Sequence, residues 1–357
     1  MERGVAADLA EDFGGGDEIR FERRGTAGVV TLTRPKALNA LTHGMVLALE
    51  RALDAWAVDE AVGTVIVTAE GRAFCSGGDI VQVYHAGKAG NPPAGFFADE
   101  YRLNAKVRAF PKPYVSLIDG IAMGGGFGIS YHGSHRVVTE NASFAMPECG
   151  IGFFPDVGGS YVLPRLKGAY GLYLGLTGAR IRRGDQCWSG LATHAVNAAI
   201  LPTLLDALAR GGDVDETLAI YSVKAGRETD EARIHAVNQH FSLGSVADIV
   251  ASLTEAEARD AFAFETLETL RTKSPTSLLV TFDQLAAGAM LSMEDCMRME
   301  FRILTRMLAG HDFYEGIRAV LIDKDQQPRW SPATLAGVSP EAVAAYFAPL
   351  PGGELVL

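Results

Sequence analysis

Basic residues are in short supply in this chain of 357 residues: 32 Lys and Arg stand against 43 Asp and Glu, for a formal net charge of -11. A chain of that sign lacks the positive surface that displaces counterions from nucleic acid or anionic lipid, so neither is an expected partner. A local positive patch for one small anionic ligand is still compatible with it. Cysteine is scarce too: Cys75, Cys149, Cys187 and Cys296 are far apart and form no C-x-x-C pair. That excludes a zinc knuckle and a dithiol redox motif, and it points to a reducing, cytoplasmic compartment. No apolar run approaches the roughly 20 residues that a membrane helix needs. Residues 1–18 are acidic and Gly-rich, with neither the basic start and apolar run of a secretory signal nor the Arg-rich make-up of a transit peptide. They read as a flexible lead-in.

Most catalytic signatures are missing as well. The triple glycine at Gly124 does not complete G-x-G-x-x-G, because Ile129 stands where the last glycine belongs. There is no Walker loop, and no serine carries glycine at both minus two and plus two, which removes the nucleophile elbow. Asp12-Phe13-Gly14 has no kinase context, and Asn141-Ala142-Ser143 is a glycosylation sequon without meaning in a reducing compartment. The eight histidines show no metal-ligand spacing. Neither a metal nor a resident cofactor is expected.

What is present is a 48% apolar chain with 21% charged residues, enough to bury one large core or two modest ones. Residues 19–33 alternate around Gly25 and Gly28 as a hairpin does. Thr42 is placed to cap a helix carrying Met45, Leu49, Leu53 and Trp56 and ending near Val58. Residues 65–67 and 114–118 read as buried strands, 124–131 as a helix entered through glycines, 137–138 and 144–145 as short strands, and 87–93 as a loop. Strands alternating with helices indicate an α/β architecture. Beyond about residue 201 the strand runs give way to Ala, Leu and Glu. The expected organisation is a lead-in over 1–18, an α/β core over 19–210 and a helical region over 211–357 packing on that core, with the acidic, Gly-containing stretch 211–216 as the boundary.

Three segments concentrate small residues at strand ends: FCSGGD at 74–79, IAMGGGFG at 121–128 and FAMPECGIGFFPDVGG at 144–159. Two glycine-lined turns can bring bare backbone N–H groups together on one oxygen, which makes an oxyanion hole. In the third segment Glu148 and Asp156 are carboxylates eight residues apart among Phe144, Ile151, Phe153 and Phe154. Apolar surroundings disfavour the charged form, so a carboxyl there can work as a base or nucleophile near neutral pH. Turn packing and loop caps would account for each feature taken singly.

Together, FCSGGD, MGGG and MPE-x-x-IG-x-FPDVGG resemble the signature of the crotonase (enoyl-CoA hydratase/isomerase) superfamily. RPKALNAL extends that resemblance, and the C-terminal strings SPTSL at 274–278 and GHDFYEGIRAVLIDKDQ at 310–326 are similar in particular to its branch that hydrolyses 3-hydroxyisobutyryl-CoA. The resemblance spans nearly the whole chain and implies a spiral of ββα units with a mainly helical C-terminal region. It implies an acyl-CoA thioester substrate, with CoA as part of that substrate, a place in valine breakdown, and possible assembly as a homo-oligomer. Carried over residue by residue, Ser76 and Gly125 would give the two oxyanion-hole N–H groups, Glu148 and Asp156 the acid pair, and Glu100 a further contact to substrate. By its own sequence context Glu100 is an ordinary exposed helix charge. Lys36 and Ala37 in the RPKAL turn, Asp79 after FCSGG, and Lys324 in IDKDQ are candidates for holding CoA. The superfamily's hydratases use two glutamates, one on the helix after the triple glycine. That place here is Gly128, whereas Asp156 adds a carboxylate where hydratases have a small residue. Hydrolysis is therefore the expected reaction, with Glu148 attacking the carbonyl or activating a water and Asp156 orienting it. The rivals are a hydratase or isomerase working with Glu148 alone and a non-catalytic acyl-CoA-binding protein.

Overall fold

A computed structural model describes residues 9–357. Its strands are β1 (Leu9–Glu11), β2 (Ile19–Arg24), β3 (Ala27–Leu32), β4 (Thr64–Ala69), β5 (Ala73–Cys75), β6 (Tyr114–Ile118), β7 (Ile121–Met123), β8 (His135–Val138), β9 (Ser143–Ala145) and β10 (His194–Ala195). Its first five α-helices are α1 (His43–Val58), α2 (Ile80–Lys88), α3 (Ala94–Arg108), α4 (Gly125–Gly128) and α5 (Gly159–Val162). Beyond β10 every regular element is helical.

The residues divide into two compact units. One draws on the chain up to Gly78, on Arg102–Phe144 and on Ile181–Glu228; the other on Asp79–Tyr101, Ala145–Arg180 and Thr229–Leu357. The first unit is built on a seven-stranded sheet in the order β1-β2-β3-β4-β6-β8-β10. Its β2–β3 hairpin is antiparallel, pairing Ile19 with Leu32 and Arg24 with Ala27. From β3 onward the pairs are parallel, which requires each strand to return by a crossover and accounts for the near-continuous apolar runs in the central strands. Val29, Ile66, Val115, Leu117 and Val137 form its core. Thr42 caps α1 by accepting the Met45 N–H at 3.3 Å, and α1 buries Met45, Leu49, Leu53 and Trp56.

Three expectations about organisation change. Residues 1–8 of the lead-in lie outside the described residues, but Leu9–Glu11 is a strand paired antiparallel with β2. It is anchored by the Trp56 indole N–H donating to the Glu11 carboxylate at 2.8 Å and by Phe13 set edge-on to Phe21 and Trp56. The stretch 211–216 is no boundary, since it lies inside the Ile181–Glu228 segment of the first unit. Asp213 caps the helix Val214–Tyr221, whose Val214 and Leu218 join the sheet core, and the Thr26 N–H donates to the Ala209 carbonyl at 2.8 Å. Lastly, the helix after the triple glycine is α4 alone and does not continue to residue 131. The Ser130 hydroxyl donates to the Gly126 carbonyl, the acceptor its own N–H would use in an α-helix, and that N–H turns to Phe127 instead.

Candidate active site

In the first unit the FCSGGD and MGGG turns meet, as the glycines suggested. A Cβ on Gly126 would stand 2.2 Å from the Cys75 carbonyl oxygen, so glycine alone lets α4 start against the end of β5. Gly77, at φ +115°, adopts backbone that L side chains rarely reach, and its α-carbon faces the Met123 carbonyl and the Gly125 nitrogen. The RPKALNAL turn braces this arrangement. Fully buried Asn39 donates to the carbonyls of Glu70 and Ala73, both at 2.8 Å, and accepts the Arg34 N–H at 2.8 Å. The Leu41 N–H reaches the Gly77 carbonyl at 2.8 Å.

The same brace corrects the assignment of Ser76. Its N–H donates to the Leu38 carbonyl at 3.0 Å and has no proton left for a ligand oxygen. Among the described residues, the amides of Gly78 and Gly125 donate to no acceptor. The turn therefore presents Gly78 rather than Ser76, a shift of two residues that follows from the Ser76–Leu38 bond.

The acid groups belong to the second unit. Glu148 opens the 3-10 turn Glu148–Ile151, right after Pro147, and Asp156 follows the Phe153-Phe154-Pro155 run. Glu148 is 6% exposed, Asp156 4% and Glu100 2%, so Glu100 is not the exposed helix charge that its sequence context suggests. Its Oε1 and the Oε2 of Glu148 have no hydrogen-bond partner among the described residues. Asp156 does have one, the Tyr101 hydroxyl, which donates to its Oδ2 at 2.8 Å. Burial lifts Asp156 to about 7, with the Tyr101 bond pulling the other way. Burial, and then the nearby Asp156 charge, hold both Glu148 and Glu100 well above the usual carboxylate range. No cation pairs with these groups among the described residues, so each charge put on the cluster raises the cost of the next.

Sequence reading missed two parts of this cluster. Tyr101 stands beside Glu100 but carried no signal of its own. Glu300 did carry one: it lies on the helix Met293–Met307 at the spacing of the buried Met297, Ile303 and Leu304, a charge placed on an apolar stripe. Its carboxylate accepts the Gly158 N–H at 2.9 Å, the Ser160 N–H at 3.0 Å and the Ser160 hydroxyl. It thereby ties down the chain just past Asp156. Burial pushes Glu300 up to about 8 against those three donors. The C-terminal strings prove to be supports for the Glu148 turn. The Ser274 N–H donates to the Cys149 carbonyl at 3.1 Å, the Ser274 hydroxyl to Asp312 at 2.6 Å, and Gly316 packs on the Ile151 backbone.

The CoA candidates occupy varied positions. Lys36 and Ala37 are exposed on the 3-10 turn Pro35–Ala37 in the first unit. Asp79 caps α2, accepting the Gln82 side-chain amide at 2.9 Å. Lys324 is exposed, at φ +58°, after the turn that follows Ile317.

The chain is 46% identical over 354 residues to "3-hydroxyisobutyryl-CoA hydrolase, mitochondrial" of Danio rerio, covering 96% of this chain and 92% of that protein. It is 42% identical over 351 residues to the Homo sapiens protein of the same name, covering 95% and 90%. Among solved structures it resembles a carnitinyl-CoA dehydratase from Mycobacterium thermoresistibile, with TM-score 0.87, 41% identity and 98% of both chains covered. It also resembles an enoyl-CoA hydratase from Rhodobacter sphaeroides 2.4.1, with TM-score 0.89, 40% identity, and 95% of this chain and 100% of the other covered. The mitochondrial names overturn the expected cytoplasmic location. Free thiols persist in any reducing compartment, so cysteine usage could not discriminate between them. The family model for enoyl-CoA hydratase/isomerase matches residues 27–347, and with these relatives it shows that the chain belongs to the enoyl-CoA hydratase/isomerase family.

Proposed function

We propose that this protein hydrolyses 3-hydroxyisobutyryl-CoA to 3-hydroxyisobutyrate and free CoA, a step of valine breakdown. The observation that carries the reading is the carboxyl pair Glu148 and Asp156, both buried and both held above the usual carboxylate range. Such a pair can take a proton and return it within one turnover. The name shared by the curated relatives supports the same substrate.

In this mechanism the thioester oxygen accepts the N–H groups of Gly78 and Gly125. The acid pair works with one charge, which the Tyr101 hydroxyl stabilises on Asp156. Water attacks the carbonyl carbon, its proton passes to Asp156, and the tetrahedral oxyanion rests on the two amides, where each donor is worth roughly 3 to 4 kcal/mol. Collapse breaks the carbon–sulfur bond, and Glu148 gives its proton to the departing thiolate. A route through a Glu148 anhydride requires the charge on Glu148 instead. Single turnover in oxygen-18 water separates the routes: direct attack labels only the released acid, whereas an anhydride that water opens at its Glu148 carbonyl leaves label in Glu148.

The test is thiol release from 3-hydroxyisobutyryl-CoA. Wild-type protein turns it over, and Glu148→Gln lowers kcat by about 100-fold or more, the usual worth of a positioned acid or base. Near-wild-type turnover in that variant would sink the mechanism. The hydratase reading has the names of the two similar solved proteins in its favour; against it stands Gly128, where no carboxylate is available to share a water with Glu148. Loss of the enoyl absorbance from a 2-enoyl-CoA, without thiol release, would select hydration.

A further inference from the structure

Asn104, on the C-terminal half of α3 in the first unit, is completely buried. A carboxamide has two donors and two acceptor positions. Among the described residues, neither Nδ2 nor Oδ1 of Asn104 has a hydrogen-bond partner. Leaving a buried polar group unmet costs about 1–3 kcal/mol, and here both ends of one side chain are unmet. The amide has a defined position. A Cβ on Gly128 would stand 2.6 Å from Nδ2 and 3.0 Å from Oδ1. The carboxamide therefore lies over the bare α-carbon of Gly128, in the space that any other residue there would fill.

Gly128 is the last residue of α4 and Gly125 the first. Residues three apart on a helix share a face, so the Asn104 amide lies about one helical turn from the Gly125 N–H. On the thioesterase reading above, on which this inference rests, that N–H holds the substrate's carbonyl oxygen. The next polar atom of a 3-hydroxyacyl group is the hydroxyl oxygen on C3, three bonds beyond the carbonyl carbon.

We propose that the Asn104 carboxamide is the specificity group for the 3-hydroxyl of the acyl chain. A hydroxyl both donates and accepts, so it meets the amide in either orientation of the Asn side chain. A thioester without the hydroxyl leaves the amide unmet in a closed site, and the difference between the two substrates is the discrimination.

The experiment compares kcat/KM for 3-hydroxyisobutyryl-CoA and isobutyryl-CoA by thiol release, in wild type, Asn104→Ala and Gly128→Ala, with thermal unfolding of each protein. Wild type prefers the hydroxy ester. Asn104→Ala lowers that preference by about 10- to 100-fold, the range expected when a buried hydrogen-bonding group is removed. Gly128→Ala, whose methyl displaces the amide, lowers it in the same direction and provides the test if Asn104→Ala does not fold. A structural role alone would reduce both esters equally and leave the ratio unchanged in the folded variants, which would overturn the proposal. Equal wild-type rates on the two esters would overturn it without any variant. Release from neither ester would instead refute the thioesterase reading itself, and this inference with it.

Discussion

The Tyr101 hydroxyl donates to Asp156, and among the described residues no cation pairs with it to offset its burial, which sets it at about 7. If Asp156 is the group that takes the proton from water, only its ionised form works, so the rate must rise with pH as that carboxyl loses its proton. The expected kcat/KM profile climbs through an inflection near 7. Removing the Tyr101 bond takes away a force that lowers the value, so Tyr101→Phe moves the inflection upward, whereas Asp156→Asn flattens and depresses the profile. A wild-type profile flat across the neutral range would contradict this role. Among the described residues Glu148 has no comparable donor on its Oε2, which is the physical reason for resting the proton there. The residue scale also separates Ser76 from Gly78: they are two positions apart in one turn, and the Leu38 carbonyl takes the N–H of the first.

At the scale of elements, the segment between Pro155 and α5 holds a conformation it would not choose alone. Val157 has φ +49° and Gly158 φ +86°, and a β-branched residue in left-handed backbone is strained. Two helices hold it there. Gln284, on Pro275–Gly288, donates to the Pro155 carbonyl at 2.7 Å, and Glu300, on Met293–Met307, accepts from Gly158 and Ser160. Glu300→Ala leaves those two N–H groups without their acceptor, so it should cost about 2–5 kcal/mol. Urea unfolding should show the loss as a lower midpoint at unchanged slope. Because the strained segment follows Asp156 directly, kcat should fall more than KM rises. Glu300→Gln keeps one acceptor oxygen and should retain part of both properties; a Glu300→Ala protein with wild-type midpoint and kcat would show the strap to be dispensable.

For the whole molecule, the buried carboxyls make stability depend on pH in an uncommon direction. In the unfolded chain Asp and Glu lose their protons near pH 4, while in the folded protein Asp156 and Glu300 keep theirs to about 7 and about 8. Between those limits the native state binds more protons than the unfolded one, and stability falls as pH rises. The contribution is fully present below the unfolded values and is lost through the folded ones. A shift from 3.8 to about 7 for Asp156 is worth on the order of 4 kcal/mol at 1.36 kcal/mol per unit. The groups whose carboxyls are lowered, Glu315 and Asp325 beside Arg318 among them, act in the opposite sense but on the acid side of their ordinary values. Thermal unfolding should therefore move to lower temperature from mildly acidic to mildly alkaline pH, with a shallower slope in Asp156→Asn. A Tm that rose over that interval would place the burial cost elsewhere.

Much of this protein was determined locally and is legible without a fold. The 19–33 hairpin, the Thr42 cap, the buried core strands and the glycine turns follow from alternation, capping chemistry, short apolar runs and the conformational range of glycine, each of which acts within a few residues. Glu148 and Asp156 could be singled out because their apolar neighbours are adjacent in the chain. The tertiary structure decided whatever depends on partners distant in sequence. Leu38 is 38 residues before Ser76, and its carbonyl withdraws that amide from any ligand. Glu300 is 142 residues from Gly158 and yet holds the loop behind Asp156. Gly128 reads in sequence as a missing acid; in the fold it is the space taken by the Asn104 amide. A hydrogen bond requires two groups within about 3 Å, and sequence spacing does not encode that distance once the partners lie on different elements.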